Sequence, residues 1–229
     1  MGSIHVLGPV HEEPLIELVG EPALPERLRR ELEASRQALL DHPDHFDGPQ
    51  LILLEVSPER VLGYQGSYAH YRAIQRLGPE TALGLGSAGI GLCLADEQGR
   101  ELWVKRASVV DNPSSWCYAA GGGVADAALG FRGAALAEAS EELGLVPEQL
   151  RDLSPRVLLG NQRGDAAYLV FSALLDPEAE IALNEQEAVA WRWVREPLEE
   201  LAVSAVLREL YLCARPYLPW QRGEADGEG

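Results

Sequence analysis

Cysteine is scarce in this sequence, and the three that occur are far apart and odd in number, which excludes a disulfide framework. Cys93, Cys117 and Cys213 lie among apolar residues, so we expect buried, reduced thiols. No apolar run approaches the roughly 20 residues that span a bilayer, and the N-terminus has no basic segment followed by an apolar one. We therefore expect a cytoplasmic protein without a membrane partner.

Basic residues are also few, with 19 Lys and Arg against 36 Asp and Glu and a formal net charge of −17. Such a surface repels polyanions, so we expect no nucleic acid polymer as a partner. A small phosphate-bearing ligand stays compatible with this charge if cations in its site neutralise the local field. Whether the chain forms a homodimer is left open by the sequence.

The sequence pattern of residues 1–80 predicts a small α+β unit. Leucines at helical spacing predict a helix over 25–40. Two apolar runs predict strands over 51–56 and 60–66, and a second helix ends at Gly78.

The sequence pattern of residues 81–220 predicts a second unit of mixed strands with few helices. The acidic composition of residues 221–229 predicts a disordered tail. One helix ends at Gly144, because glycine easily adopts the left-handed conformation that ends many helices. The expected elements are two strands around the turn Asp96 to Gly99, a short strand running into Gly121 to Gly123, a helix over 131–143, strands over 155–162, 166–175 and 188–194, and a closing helix over 196–214.

Three glutamates on the helix before Gly144 carry the strongest chemical signal. Glu138, Glu141 and Glu142 are spaced i, i+3 and i+4, so their carboxylates leave one helix face. Negative charge in the last turns opposes the helix dipole by about 0.3 to 1 kcal/mol per group. A bound Mg²⁺ or Mn²⁺, which prefer oxygen ligands, would compensate this cost. The alternative is a solvated acidic helix end.

The segment GGGVADAALGFRGAALAEASEELGL, at 121–145, resembles the Nudix box G-x5-E-x7-R-E-U-x-E-E-x-G-U, where U is aliphatic. Leu129 and Ala137 stand where the pattern has its first glutamate and its arginine. Because both charges are replaced together, the exchange leaves a neutral pair, which favours an active enzyme over a decayed one. The matching positions are Gly123, Glu138, Glu141, Glu142, Gly144 and Leu145.

This resemblance implies a Nudix-type α/β/α sandwich with a mixed β-sheet, preceded by the small α+β unit. It also implies divalent-metal-dependent cleavage of a diphosphate linkage. Glu138 and Glu142 would be catalytic metal ligands, and Glu141 would bind the metal or support a ligand. A further glutamate from a downstream loop would serve as base or extra ligand, for which Glu185 and Glu187 are the candidates and Glu187 is our choice.

Upstream residues are candidates for substrate binding by the same resemblance. Lys105 and Arg106 end a strand where Nudix enzymes place a phosphate-contacting base, although a solvated strand end is an equal alternative. Tyr118, with Trp116, could stack on a nucleobase, although alternating aromatic residues in a strand are more often core. Gly122 and Gly123 would bring backbone close to the substrate.

The N-terminal part, through HPDHFDGPQLILLEV and LGYQGSYAHY, resembles the extension of Nudix proteins that hydrolyse nucleotide sugars. The resemblance implies a nucleoside diphosphate sugar such as UDP-glucose as substrate. ADP-ribose, dinucleotide and coenzyme A diphosphates are the alternatives within the same chemistry. A non-catalytic Nudix-like domain that binds a nucleotide or a protein is the alternative from another functional class.

Overall fold

The computed structural model describes residues 4–41, 47–78, 86–108, 112–161 and 166–224. Within these ranges, no helix has both the length and the apolar character that crossing a membrane requires. All three cysteines are free, and Cys93 and Cys117 are buried as predicted, while Cys213 is partly buried.

The helices agree with the predicted ones except at the C-terminal end. The predicted closing helix over 196–214 is wrong in its middle, because the chain leaves helical geometry at Leu201 and starts again after Ser204. The Ser204 side chain accepts a hydrogen bond from the Leu207 N–H, so it caps the second piece. The helices are α1 (Glu26–Leu40), α2 (Tyr68–Leu77), α3 (Gly130–Leu143), α4 (Pro197–Glu200) and α5 (Ala205–Ala214).

Eleven strands are present in the described part of the chain. The glycine run forms a strand of its own, Ala120–Gly123, after the short strand predicted before it, and two further strands were not predicted. These two lie at the N-terminus, and neither shows the apolar alternation that marks a half-buried strand. The strands are β1 (Ile4–Pro9), β2 (Leu15–Leu18), β3 (Pro49–Val56), β4 (Arg60–Ser67), β5 (Gly86–Ala95), β6 (Glu101–Arg106), β7 (Trp116–Tyr118), β8 (Ala120–Gly123), β9 (Leu150–Asn161), β10 (Ala166–Leu175) and β11 (Ala188–Val194).

The described strands form one mixed sheet around β5, which confirms the predicted α/β class. Strand β10 runs parallel to β5, whereas β3, β6 and β8 pair with it in antiparallel fashion. The sheet continues into the N-terminal part, since β3 pairs with β5 through Ile52 and Ser87, and β1 pairs with β9. The division into units at residue 80 stays a prediction beside this continuous sheet.

Two apolar clusters lie on this sheet. The larger one surrounds β5, whose ten residues are all buried, and includes Phe131 and Leu143 of α3. The smaller one joins α1 and α2 to the N-terminal strands through residues such as Leu28, Tyr64 and Ile74. Helix α3 is therefore fixed on the main core by its apolar side, which leaves its glutamate face for the site.

A buried carboxylate ties the C-terminal segment to this core. Glu101, which is 2% exposed, accepts hydrogen bonds from Tyr211, Trp220 and Gln221 at 2.7, 3.1 and 2.8 Å. Residues Pro219–Glu224 form a 3₁₀ turn, so order extends beyond the start of the predicted tail at 221. Residues 225–229 lie outside the described part of the chain.

Candidate active site

The C-terminal end of α3 is held by its own backbone and by the loop before β11. Gly144 has φ +67°, the left-handed conformation predicted for it, and its N–H bonds the Ser140 carbonyl at 3.0 Å. The N–H of Asn184 donates to the Glu142 carbonyl at 3.0 Å, and the N–H of Ala107 donates to the Glu187 carbonyl at 2.7 Å. These bonds bring the loop that carries Glu187 against both α3 and the end of β6.

Three carboxylates meet at this junction. Glu142 is 2% exposed, and its side chain is hydrogen-bonded to that of Glu187. Burial, together with repulsion from Glu138 and Glu187, raises the pKa of Glu142 well above its usual range. Burial also raises the pKa of Glu138 to about 7, with repulsion from Glu187 and Glu141 adding to the effect. Negative charge is therefore costly here unless a cation is present.

The other predicted glutamates lie further out. Glu141 is exposed and lines the mouth of the cleft beside Glu138. Glu185 is exposed on the loop, two residues before Glu187. The structure thus brings Glu187 into the carboxylate cluster and leaves Glu185 at the surface.

The glycines of β8 give the carboxylates their room. A Cβ atom at Gly122 would collide with the Glu138 carboxylate, and a Cβ at Gly123 would collide with the side-chain amide of Gln50. The Gln50 amide donates to the Ala88 carbonyl at 2.7 Å, so it is fixed against β5. The glycine run is therefore required for the close approach of α3 and β3 to this strand.

Among the residues that the structure describes, Arg106 is the cation that interacts with Glu138 and Glu142. Burial alone would lower its pKa, but Cys117, Glu142 and Tyr118 outweigh that effect and raise the pKa. Arg106 lines the cleft, whereas the side chain of Lys105 leaves the other face of the strand. Of the two predicted phosphate contacts, Arg106 faces the glutamates.

The cleft has a volume of about 370 Å³ and walls from both parts of the chain. Tyr118 and Gly121 to Gly123 line one side, together with Glu138 and Glu187. Trp116 is buried elsewhere, with the Arg192 guanidinium 5.4 Å from its ring centre. Sequence reasoning missed the remaining polar and aromatic wall residues, which are Gln50, Tyr68, Tyr71, Ser87, Asn112 and Tyr168.

A larger cavity of about 550 Å³ lies at the other end of β5 and is lined by residues such as Asp96, Trp191 and Trp193. Two of its acidic side chains are engaged locally, because Asp96 pairs with Arg100 and Glu97 pairs with Arg151. The smaller cleft is the chemical site, since Glu138, Glu187 and Arg106 line it and all three interact with the buried Glu142.

The donor set of the cleft fits a hard divalent cation. Its oxygen donors are carboxylates that repel one another and lose solvation, and a cation reverses both costs. Among the described residues no three acidic, histidine or cysteine side chains already form a group that could hold a metal ion. The fit therefore rests on the oxygen chemistry of Glu138, Glu142 and Glu187 and on the burial and mutual repulsion that raise the pKa of Glu138 and Glu142.

A family model described as the NUDIX domain matches residues 87–221, which is more than half of the chain. The chain belongs to the Nudix family. The match begins in β5 and ends after α5, so it includes the carboxylate cluster, Arg106 and the glycine strand. No curated protein matches the chain.

Solved structures with a similar fold include a protein of Deinococcus radiodurans, with 18% identity and a TM-score of 0.47 over 56% of this chain and 82% of that one. The Nudix hydrolase RenU of M. smegmatis has 23% identity and a TM-score of 0.46 over 57% and 83%. The NUDIX domain of Shewanella oneidensis NrtR, solved with ADP ribose, has 17% identity and a TM-score of 0.40 over 55% and 82%.

The two departures from the Nudix box lie just before α3 and in the middle of it. Leu129 is 61% exposed just before the helix, and Ala137 is partly buried beside Glu138. Neither side chain can accept or donate a hydrogen bond. Any support that the box glutamate and arginine give elsewhere in the family must come from other residues in this chain.

Proposed function

We propose that the protein is a divalent-metal-dependent Nudix hydrolase that cleaves the diphosphate linkage of a nucleoside diphosphate sugar such as UDP-glucose. The observation that carries this proposal is the cluster of Glu138, Glu142 and Glu187, facing Arg106 in one cleft. The carboxylates suit a bound metal ion because they repel one another without it. The Arg106 guanidinium suits an anionic substrate.

Glu138 and Glu142 would hold Mg²⁺ or Mn²⁺, with Glu141 at the mouth of the cleft as a further ligand. When bound, the ion would polarise the diphosphate and lower the pKa of an attacking water. Glu187 lines the cleft beside Glu138 and would act as the general base that takes a proton from water.

The phosphates would lie between Arg106 and the glycines of β8. A guanidinium forms paired hydrogen bonds with phosphate oxygens, and it offsets the charge of the surrounding carboxylates. Because a Cβ atom at Gly122 would collide with the Glu138 carboxylate, the glycine would let Glu138 lie beside the bound phosphates.

The N-terminal part would contact the remainder of the substrate. Tyr68 and Tyr71 of α2 lie on the cleft with ring centres 5.7 Å apart, and Tyr118 lies on the wall of β7. Aromatic faces suit both a nucleobase and a sugar ring. Two aromatic walls in a cleft of about 370 Å³ favour a substrate with a group on each side of the diphosphate.

A substrate panel tests the proposal. Purified protein with Mg²⁺ or Mn²⁺ is expected to convert a nucleoside diphosphate sugar into a nucleoside monophosphate and a sugar phosphate, read by phosphatase-coupled phosphate release. ADP-ribose, dinucleotides and coenzyme A serve as competing substrates, and faster turnover of one of them would replace the sugar assignment. Silence across the whole panel would favour the alternative of a non-catalytic Nudix-like domain that binds a nucleotide or a protein.

Divalent metal is expected to raise the thermal stability of the protein. An ion that binds only the folded state at about 100 times its dissociation constant adds about 2.7 kcal/mol, or roughly 5 to 10 °C in Tm for a chain of this size. Thermal denaturation with and without Mn²⁺ measures the shift. A variant with Glu138, Glu141 and Glu142 all changed to Gln should lose it, whereas Glu148→Gln, at an exposed position, should keep it. An equal shift in the triple variant would place the ion elsewhere.

A further inference from the structure

A carboxylate from a distant part of the chain accepts a hydrogen bond from the backbone at the N-terminal end of α3. The Oε1 atom of Glu13 accepts a hydrogen bond from the Arg132 N–H at 3.2 Å. Arg132 is the third residue of α3, and the first N–H groups of a helix have no partner within it. A carboxylate at this end also interacts favourably with the helix dipole.

The start of α3 leaves this position open for an outside group. Leu129 precedes the first helical residue, where Ser, Thr, Asp or Asn would normally accept from the third N–H, and leucine has no acceptor. Gly130 has φ +69°, and a Cβ atom there would collide with the Glu13 carboxylate. The glycine therefore makes room for Glu13, and the missing acceptor at Leu129 makes Glu13 necessary.

Glu13 is itself fixed from both sides. The N–H of Val10 bonds the Arg156 carbonyl at 2.9 Å, and the N–H of Leu15 bonds the Glu59 carbonyl at 3.0 Å. The connection between β1 and β2 is thus anchored to β9 at one end and to the segment before β4 at the other. A side chain on so short an anchored connection has a defined position.

We infer that Glu13 is a positioning residue for the metal-binding glutamates, and that it takes over the support which the box glutamate and arginine do not provide here. The inference rests on the proposed function in one respect, namely that α3 carries the ligands. Arg132 also bonds the Leu153 carbonyl through its guanidinium at 2.8 Å, so the first turn of α3 is held at two points. Because a helix is stiff along its axis, fixing this turn fixes the heights of Glu138 and Glu142.

Glu13→Ala, Glu13→Gln and the neighbouring Glu12→Ala test the inference on the full-length protein. Glu13→Ala is expected to lower the metal-free Tm by about 2 to 4 °C, as for the loss of a helix cap. It should also weaken Mn²⁺ binding, measured by calorimetric titration, roughly tenfold, as when a partner that orients a metal ligand is removed. Glu13→Gln keeps an oxygen acceptor and should give smaller changes, and the exposed Glu12→Ala should match the parent.

A second variant moves the acceptor to the helix itself. In Glu13→Ala combined with Leu129→Asp, an aspartate at the residue before α3 can accept from the same Arg132 N–H. Both the Tm and the Mn²⁺ affinity are expected to recover. A recovered Tm with unrecovered affinity would overturn the inference, because the carboxylate would then not act through the helix position.

The remaining outcomes separate this inference from the proposed function. A lower Tm with unchanged Mn²⁺ affinity in Glu13→Ala would overturn the positioning role, and so would equal behaviour of Glu13→Ala and Glu12→Ala. A parent that binds Mn²⁺ as expected but hydrolyses no substrate in the panel would overturn the proposed function and leave the inference standing. A parent that binds no Mn²⁺ would overturn both.

Discussion

Glu138→Gln should lower the turnover number for diphosphate hydrolysis about 100-fold or more at saturating Mg²⁺. The exchange removes a negative ligand while it keeps nearly the same shape, so the cleft and α3 stay in place. The same exchange should raise the Tm of the metal-free protein, because Glu138 is half-buried beside other carboxylates and its pKa is raised to about 7. Steady-state kinetics and thermal denaturation of one preparation measure both effects.

A fall in turnover together with a rise in Tm indicates a catalytic carboxylate, because the loss of a structural carboxylate would lower the Tm as well. Glu148→Gln is the matched control, since Glu148 is exposed in the turn after α3 and should change neither turnover nor Tm. Parental turnover in Glu138→Gln would show that any hydrolysis does not depend on this helix. A fall in Tm would show that Glu138 holds the fold together instead.

Arg106→Ala should reduce kcat/KM by roughly 10- to 150-fold, the value of a lost charge-assisted hydrogen bond of about 1.5 to 3 kcal/mol. The loss should include a higher KM, because phosphate oxygens would lose their guanidinium partner. Arg106→Lys keeps the charge but not the paired geometry, so it should lie between the parent and the alanine variant. Initial rates over a range of substrate concentrations separate KM from kcat.

Lys105→Ala is the control for Arg106→Ala, because it removes a neighbouring positive charge from the other face of the same strand. Its kcat/KM should stay within about twofold of the parent at 0.15 M salt, where exposed charges are screened. Equal losses in the two variants would mean that the general field of the protein, and not a contact in the cleft, attracts the substrate.

The box helix and its glycine end could be read from the sequence because both depend on local rules. Glutamates at i, i+3 and i+4 share a face in any helix, and Gly144 suits a left-handed helix end wherever it occurs. The choice of Glu187 over Glu185 was not fixed by such a rule. It depends on how the loop bonds α3 through Asn184 and β6 through Ala107, which is tertiary information.

The N-terminal contribution to the site could not be predicted for the same reason. Tyr68 and Tyr71 look like an ordinary helix pair at i and i+3, and Gln50 looks like a polar residue at the start of a strand. Glu13 lies in a segment without a periodic pattern. Tyr68, Tyr71 and Gln50 reach the site because β3 pairs with β5, and Glu13 reaches the start of α3 because β1 pairs with β9.

The order in which the sheet assembles during synthesis follows from the pairing of its first strand. Ile4 pairs with Asn161, and β5 gains its parallel neighbour only when residues 166–175 have been made. Pairings between segments so distant along the chain carry a high entropic cost of loop closure and slow the folding reaction. The backbone groups of β1 therefore stay without their β9 partner until residues 150–161 have been synthesised. The refolding rate of the chain should be that of a domain with high contact order.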